Sequence, residues 1–378
     1  MNWPFLLIAF CSASFAAEST PTARLNQSLA FADDLQFENL ELAINRQLAA
    51  YERSPLAGKI LFGGRSYPKT ILKDSLILFK QLALEAKDCL KSSTPATCLA
   101  NFNAQINKKF TIYVPIPSKG AFGFRQKAAT KFTSYYSPDL SGSRVPTERF
   151  KRPIYRMPDN PKEQNYTRVA IDYRGALSGK GYEIFWVEDS FFDLYLLHVQ
   201  GGGRIKIHNE DGTEEVKYLS YQGKNARPFQ MIYKYLLQMN YLQDASIENQ
   251  RKFLEVHPEK EEEVFASCPS YVYFKESAEE PVGLDSIPLT EGRSLAMDSR
   301  IYKTTGIINF VKTLRPSGLD ANGKVVKSPY SRFYIAQDTG GAIRGAARCD
   351  LYAGYGPHAE FVAYNTNDQG EQYFLIKK

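Results

Sequence analysis

The chain has 378 residues, enough for two domains of ordinary size, and carries 47 Lys and Arg against 41 Asp and Glu, a formal net charge of +6. No basic block is interleaved with aromatic residues, which argues against a nucleic-acid surface; the modest positive excess suits an anionic polymer and is equally ordinary for a soluble protein. Aromatic residues make up 13% and include 24 tyrosines, rings with a polar tip, most of which are expected on strand surfaces.

Residues 1–17 hold no charged side chain, and the apolar run 5–10 is too short to span a bilayer. With Ser14, Phe15 and Ala16 behind it, the run reads as a secretory signal, residues 1–16, cleaved after Ala16. Cys11 raises a lipoprotein alternative, against which Phe10 stands where a small residue is expected. Export would expose the other four cysteines to an oxidising compartment, where they could form one disulfide or two. Cys89 and Cys98 bracket the turn-forming Ser92-Ser93-Thr94-Pro95 and are the expected pair. The histidines His198, His208, His257 and His358 are scattered, and no His/Cys cluster has zinc spacing, so no metal and no cofactor is expected.

Residues 18–36 are polar. Phe37, Leu40, Ile44, Leu48 and Tyr51 then recur at steps of three and four, which predicts an amphipathic helix. After Gly63 and Gly64 a second helix is predicted by Leu72, Leu76, Phe79, Ala83, Ala86 and Leu90, and a third over 97–108. These stripes are read as core. From Phe110 to about Arg227 the texture becomes β-like, with short runs at 111–114, 131–136, 182–187, 194–199, 204–207 and 216–221 between Gly, Pro, Ser and Asp, which suggests a small all-β unit. Helix returns over 228–239 and 246–256, and Lys260 to Glu263 reads as a solvated helix face. From Tyr271 the chain is β-rich to its end, with a polar hairpin loop at 319–328.

The most informative stretch is 333–356, FYIAQDTGGAIRGAARCDLYAGYG. A β-type run ends on Gln337 and Asp338, two glycines follow, and a second bend at Gly345 precedes a run carrying Asp350. Two carboxylates twelve residues apart, each at a strand-like segment beside glycine turns, can converge at one end of a small barrel. A third aspartate, Asp298, sits in SLAMD at 294–298.

SLAMD, AQDTGGAIRG and RCDLYAGYG, in this order, resemble the three-aspartate barrel domain of the membrane-bound lytic murein transglycosylase A (MltA) family. The segments FTSYYSP (132–138), RPIY (152–155), HVQGGGR (198–204), YQGKN (221–225), CPSYVYF (268–274) and PLT (288–290) fit that family's inserted domain. The resemblance covers roughly 130–378. Two departures are visible: the family usually has serine where Gly202 stands and glycine where Ser134 stands.

The resemblance implies a mainly β chain with N-terminal helices. A six-stranded double-psi β-barrel would form one discontinuous domain from 18–133 and 229–378, with the barrel itself at about 271–378. A second β-rich domain, 134–228, would be inserted into it, with a groove between the two for a polymer. It also implies a periplasmic peptidoglycan lytic exotransglycosylase, though the residues themselves leave endo and exo cleavage open. Its partners would be glycan strands, the outer membrane and complexes of cell-wall synthesis or division, and not nucleic acid.

By motif match Asp350 falls on the family's catalytic acid, and Asp338 and Asp298 on its companions. The competing reading for each is turn capping. Capping is favoured for Asp298, followed by Ser299 and Arg300, and is less natural for Asp350 between Cys349 and Leu351, where burial would raise the carboxyl's pKa. Asp338 is expected to stay ionised, held by N–H groups of the Thr339-Gly340-Gly341 turn. Tyr135, Tyr136, Gln200, Gly201, Lys224 and Asn225, with Asp298, are the candidates for holding glycan; as strand-end and turn residues they have a purely structural reading as well. Two rivals remain. Asp338-Thr339-Gly340 matches the D-T-G of aspartic proteases, but no second D-T-G or D-S-G is present to share the proton. A non-catalytic peptidoglycan-binding protein on the same barrel is the stronger rival.

Overall fold

A computed structural model describes residues 20–116, 129–277, 280 and 282–378; the expected signal segment and Cys11 lie outside the described residues. The N-terminal part contains β1 (Thr22–Arg24), α1 (Leu40–Arg53), the hairpin β2 (Lys59–Phe62) and β3 (Arg65–Pro68), α2 (Ile71–Ser92), α3 (Pro95–Lys109), β4 (Phe110–Pro115) and β5 (Thr130–Ser137). The helices follow their spacing. Leu40, Ile44 and Tyr51 of α1 and Leu72, Leu76, Phe79, Ala83 and Ala86 of α2 are buried in one core with the barrel strands. Thr94 caps α3 with its hydroxyl, and Pro95 takes the first turn, where a missing N–H costs nothing. Cys89 and Cys98 are disulfide-bonded, as their spacing predicts. Closing so short a loop stabilises by ~2–3 kcal/mol in the chain-entropy account. Cys268 and Cys349 are free and buried.

The middle part contains β6 (Asp139–Ser143), β7 (Phe150–Tyr155), α4 (Arg168–Asp172), β8 (Glu183–Glu188), α5 (Phe191–Gln200), β9 (Gly202–His208), β10 (Glu214–Lys224), α6 (Ile232–Gln238), α7 (Ile247–Val256), α8 (Glu261–Ala266) and β11 (Val272–Ser277). The last part contains β12 (Ser294–Ala296), α9 (Ser299–Tyr302), β13 (Ile308–Leu319), β14 (Val325–Asp338), β15 (Arg348–Tyr355), α10 (Pro357–Asn365) and β16 (Asn367–Lys377).

Six strands close on themselves in the order β16, β13, β14, β12, β15, β5 and back to β16, with β4 and β1 extending the sheet outward from β16. The pairs β12–β14 and β15–β5 are parallel and the rest antiparallel. This is the expected six-stranded barrel. Phe333 touches the rings of Phe31, Phe37, Phe79, Phe102 and Phe310, so one aromatic cluster ties the barrel to the N-terminal segment and helices. The second sheet has the order β11-β10-β9-β6-β8-β7.

The two sheets do not divide at the expected limits. β5 crosses the 133/134 limit and pairs with β15 and β16 of the barrel, whereas β11, expected with the barrel, pairs with β10 of the second sheet. Ile232, Leu236, Leu254, Val264 and Phe265, from the helices after 228, fill the second sheet's core. By strand pairing the inserted unit therefore runs from β6 to β11. A period of two identifies a strand but not its partner, which is why the limits differ.

A second correction concerns 194–199, expected as a strand and folded as α5. Ser190 accepts the Asp193 N–H at its start, Gly201 ends it at φ +77°, and seven of its ten residues are buried. An apolar run buried on all sides fits a strand or a helix, and here the caps decide.

Candidate active site

Asp338 ends β14, and Asp350 is the third residue of β15. Between them lies β12, whose Ala296 pairs with Asp338 on one side and Asp350 on the other. With strands about 4.8 Å apart, the two backbones stand roughly 10 Å apart at one level, within reach of converging side chains. The turn after Asp338 is pinned by Thr339, whose hydroxyl donates to the Met297 carbonyl at 3.0 Å. Gly283 allows a close crossing: a Cβ there would sit 2.5 Å from the Gln337 carbonyl oxygen and 3.0 Å from the Asp338 Cβ.

β5 supports both carboxylates from one face. It runs parallel to β15 with Thr133 opposite Asp350 and Tyr135 opposite Tyr352. Thr133 Oγ1–H donates to Asp350 Oδ1 at 2.6 Å, and Arg348 Nη2 donates to the same Thr133 oxygen at 2.7 Å. Two residues on, the Tyr135 hydroxyl donates to Asp338 Oδ2 at 2.7 Å, while the Thr339 N–H donates to Oδ1 at 2.8 Å. Burial, with the charges of Asp338 and Asp350, pushes the Tyr135 phenol well above its usual range. The rings of Tyr135 and Tyr352 lie 5.2 Å apart, and the Tyr352 hydroxyl is bonded to Ser137.

Burial raises the Asp350 carboxyl above the ordinary carboxylate range, against the Thr133 bond and the positive charge of Arg348. Burial also raises Asp338, to about 6, against the Tyr135 and Thr339 bonds and with help from the Asp350 charge. The turn therefore does not hold the Asp338 carboxyl low, and it ionises only above about 6. One turn N–H and one phenol reach it, and burial outweighs them. Asp298 is the opposite case. Its side chain is fully buried, yet its two oxygens accept from the Arg300 N–H, Arg300 Nε, Arg300 Nη2 and Gly345 N–H. The Arg300 side-chain bonds, against burial and with the two backbone donors, hold it down at about 2. It caps α9 and ties down the Gly345 bend, so both of its oxygens are committed to structural bonds.

Three more expected glycan contacts have structural roles. Tyr136, adjacent to Tyr135, points to the opposite face of β5 and is 5% exposed, its hydroxyl bonded to Glu360 and Tyr364. Asn225 is buried, its amide donating to the Tyr166 and Pro269 carbonyls and its oxygen accepting the Tyr271 N–H. Gly201 is the C-cap of α5. Gln200 is half-buried and Lys224 exposed, and these two keep side chains that a polymer can reach.

The 198–204 segment lies where the chain leaves the barrel, since the Arg204 N–H donates to the Pro138 carbonyl at 2.7 Å. The Arg204 guanidinium also sits 4.3 Å from the Tyr355 ring centroid, joining the second sheet to the barrel. A Cβ at Gly202 would stand 2.8 Å from the Leu219 carbonyl oxygen, so a serine here would push β9 from β10. Sequence reasoning missed Thr133 and Arg348. The only signal was the alternation that places Thr133 on the Tyr135 face.

Comparisons with known proteins bear on the family and the fold. The MltA specific insert domain matches residues 131–275 and the 3D domain matches residues 293–376. The chain is 34% identical over 250 residues to the membrane-bound lytic murein transglycosylase A of Escherichia coli K12, covering 65% of each chain. It is 34% identical over 237 residues to the Vibrio cholerae protein of that name, covering 61% of each. The matched stretch thus spans just under two thirds of the length of these curated relatives. The crystal structure of E. coli MltA with bound chitohexaose shares the fold with TM-score 0.71 at 25% identity over 94% of both chains. A membrane-bound lytic murein transglycosylase from Agrobacterium tumefaciens shares it with TM-score 0.63 at 24% identity, over 93% of this chain and 98% of that one.

Proposed function

The chain belongs to the MltA family, and from that premise we propose that it is a lytic transglycosylase of peptidoglycan. It would cleave the β-1,4 bond between N-acetylmuramic acid and N-acetylglucosamine and leave 1,6-anhydromuramoyl ends. The observation that carries this reading is the pair of raised carboxylates, Asp350 and Asp338, supported from one strand by Thr133 and Tyr135.

Glycosidic cleavage needs a proton on the leaving oxygen and something to capture the oxocarbenium-like centre. Asp350, raised by burial, supplies the proton. The muramyl C6 hydroxyl is already tethered near the anomeric carbon, and intramolecular capture carries a large effective concentration, so no second carboxylate is needed to activate water. Asp350, now a carboxylate, takes the proton of that hydroxyl as the C1–O6 bond closes. Asp338, ionised above about 6, places negative charge beside the cationic centre. The Tyr135 and Tyr352 rings, with Gln200 and Lys224, would flank the glycan at the junction of barrel and insert.

The relatives are named membrane-bound, and no helix among the described residues is long and apolar enough to cross a membrane. Export to the periplasm by the N-terminal segment, with attachment to the outer membrane, is part of the same proposal. Digestion of purified sacculi tests the chemistry. Released muropeptides should be one water lighter than hydrolytic products and lack free reducing muramic ends. Reducing ends would mean a hydrolase, and glycan binding without release would mean a binding protein.

A further inference from the structure

We propose that Arg348 is a positioning residue for the acid: acting through Thr133, it sets which oxygen of Asp350 carries the proton. The inference rests on the transglycosylase reading and extends it to a side chain outside the three-aspartate pattern.

Arg348, Asp350 and Tyr352 alternate on one face of β15, so Arg348 lies one pleat repeat before the acid. One guanidinium nitrogen donates to the Cys349 carbonyl, which fixes the group, and the other donates to Thr133 Oγ1 at 2.7 Å. A guanidinium has only donors, so the threonine oxygen must accept there. The single hydroxyl proton of Thr133 is then left for Asp350 Oδ1, 2.6 Å away. With Oδ1 receiving that bond, the acid's own proton favours Oδ2, the oxygen free to face a substrate. Without Arg348, the Thr133 hydroxyl could turn to other acceptors and the two carboxyl oxygens would become equivalent.

The same relay serves both halves of the reaction. In the first, the Asp350 Oδ2–H bond breaks, an O–H bond forms on the bridging oxygen, and the C1–O bond breaks. In the second, the C6 hydroxyl loses its proton to Oδ2 as C1–O6 forms, and the acid is restored without water. Through both, Thr133 stabilises charge on Oδ1, and the nearby Arg348 charge opposes the effect of burial. The other ionisable groups around Asp350 are Asp338 from β14, Tyr135 from β5 and Cys349 beside it, whose thiol burial pushes up to about 12 and keeps neutral. Asp298, beyond β12, is neutralised by Arg300.

The test compares Arg348→Met, Arg348→Lys, Thr133→Val and Thr133→Ser on soluble peptidoglycan glycan strands from acid to alkaline pH. Circular dichroism checks that each variant is folded. Arg348→Met should lower turnover at least about tenfold with KM little changed, and move the alkaline limb up by roughly one pH unit, because a positive charge that favours ionised Asp350 is gone. Arg348→Lys should keep the limb near wild type, and Thr133→Ser should keep turnover. Added to Thr133→Val, Arg348→Met should cost little further turnover, because the two act through one bond. A wild-type limb and turnover in Arg348→Met would overturn the relay, and so would losses that add fully to those of Thr133→Val. If the wild-type enzyme forms no anhydro ends, the functional reading fails by itself. Carboxyl-carbon NMR titration of Asp350 in the same variants then tests the relay without turnover.

Discussion

Asp298 and the Asp338–Asp350 pair occupy one end of one barrel, and their electrostatics run in opposite directions. Asp298 is buried and lies at about 2, whereas Asp338 is half-buried and lies at about 6, with the half-buried Asp350 also raised. Burial opposes ionisation at all three positions. What differs is the donors. Asp298 receives two backbone N–H groups and a guanidinium in direct contact. Asp338 receives one N–H and one phenol, and Asp350 one hydroxyl with its arginine a bond further away. A carboxylate in full contact with a cation is a structural brace. A half-buried carboxyl given only neutral donors is free to exchange a proton.

Removing the carboxyl at each position should separate these roles. The largest effect is expected at Asp350: Asp350→Asn should cut turnover on sacculi by roughly 10²–10⁴-fold, as for loss of a general acid, while cosedimentation with sacculi persists. Asp298→Ala should leave the chemistry of the folded enzyme intact but cost about 2–3 kcal/mol in urea unfolding, because charged bonds are lost and the Gly345 N–H is orphaned. The sign follows from its depressed pKa. The stabilisation is fully present above the unfolded value of about 3.9 and is lost as pH falls through about 2, where variant and wild type converge.

Asp338→Asn should behave in the reverse sense. A raised carboxyl costs stability when ionised, so the cost is absent below the unfolded value and fully present above about 6. The variant should gain roughly 1–2 kcal/mol near pH 8, less than the ~3 kcal/mol equivalent of the shift since one bond is weakened, and should gain nothing near pH 4. The smallest effect is on rate: removing the Asp338 charge should ease ionisation of Asp350 and move the alkaline limb of activity down by less than about one pH unit. A limb moving upward would mean that hydrogen bonding, not charge, dominates at Asp338.

The order of the three aspartates, the two amphipathic helices and the Cys89–Cys98 bond were legible because each is written in local spacing. The support of the acid was not. Thr133 and Asp350 are 217 residues apart, and the parallel β5–β15 pairing that joins them leaves no local mark. Alternation shows that Tyr135 and Tyr136 face opposite ways but not which faces the site, so both stood as glycan contacts and one proved to be core. Asn225 was ambiguous for a related reason: a polar side chain in a turn motif looks the same whether it binds a ligand or backbone carbonyls, two of which Asn225 holds. The strand expected over 194–199 failed on period, while its caps, Ser190 and Gly201, were present in the sequence.

The contrast among the aspartates can be measured directly by carboxyl-carbon NMR titration of the wild-type protein, with resonances assigned by single Asp→Asn variants at 298, 338 and 350. Asp338 should titrate near 6 and Asp350 also above the ordinary carboxylate range, while Asp298 stays ionised down to about 2. If Asp350 titrates with, or below, Asp298, the protein holds no proton there for the leaving oxygen, and the account of Asp350 as the acid is contradicted.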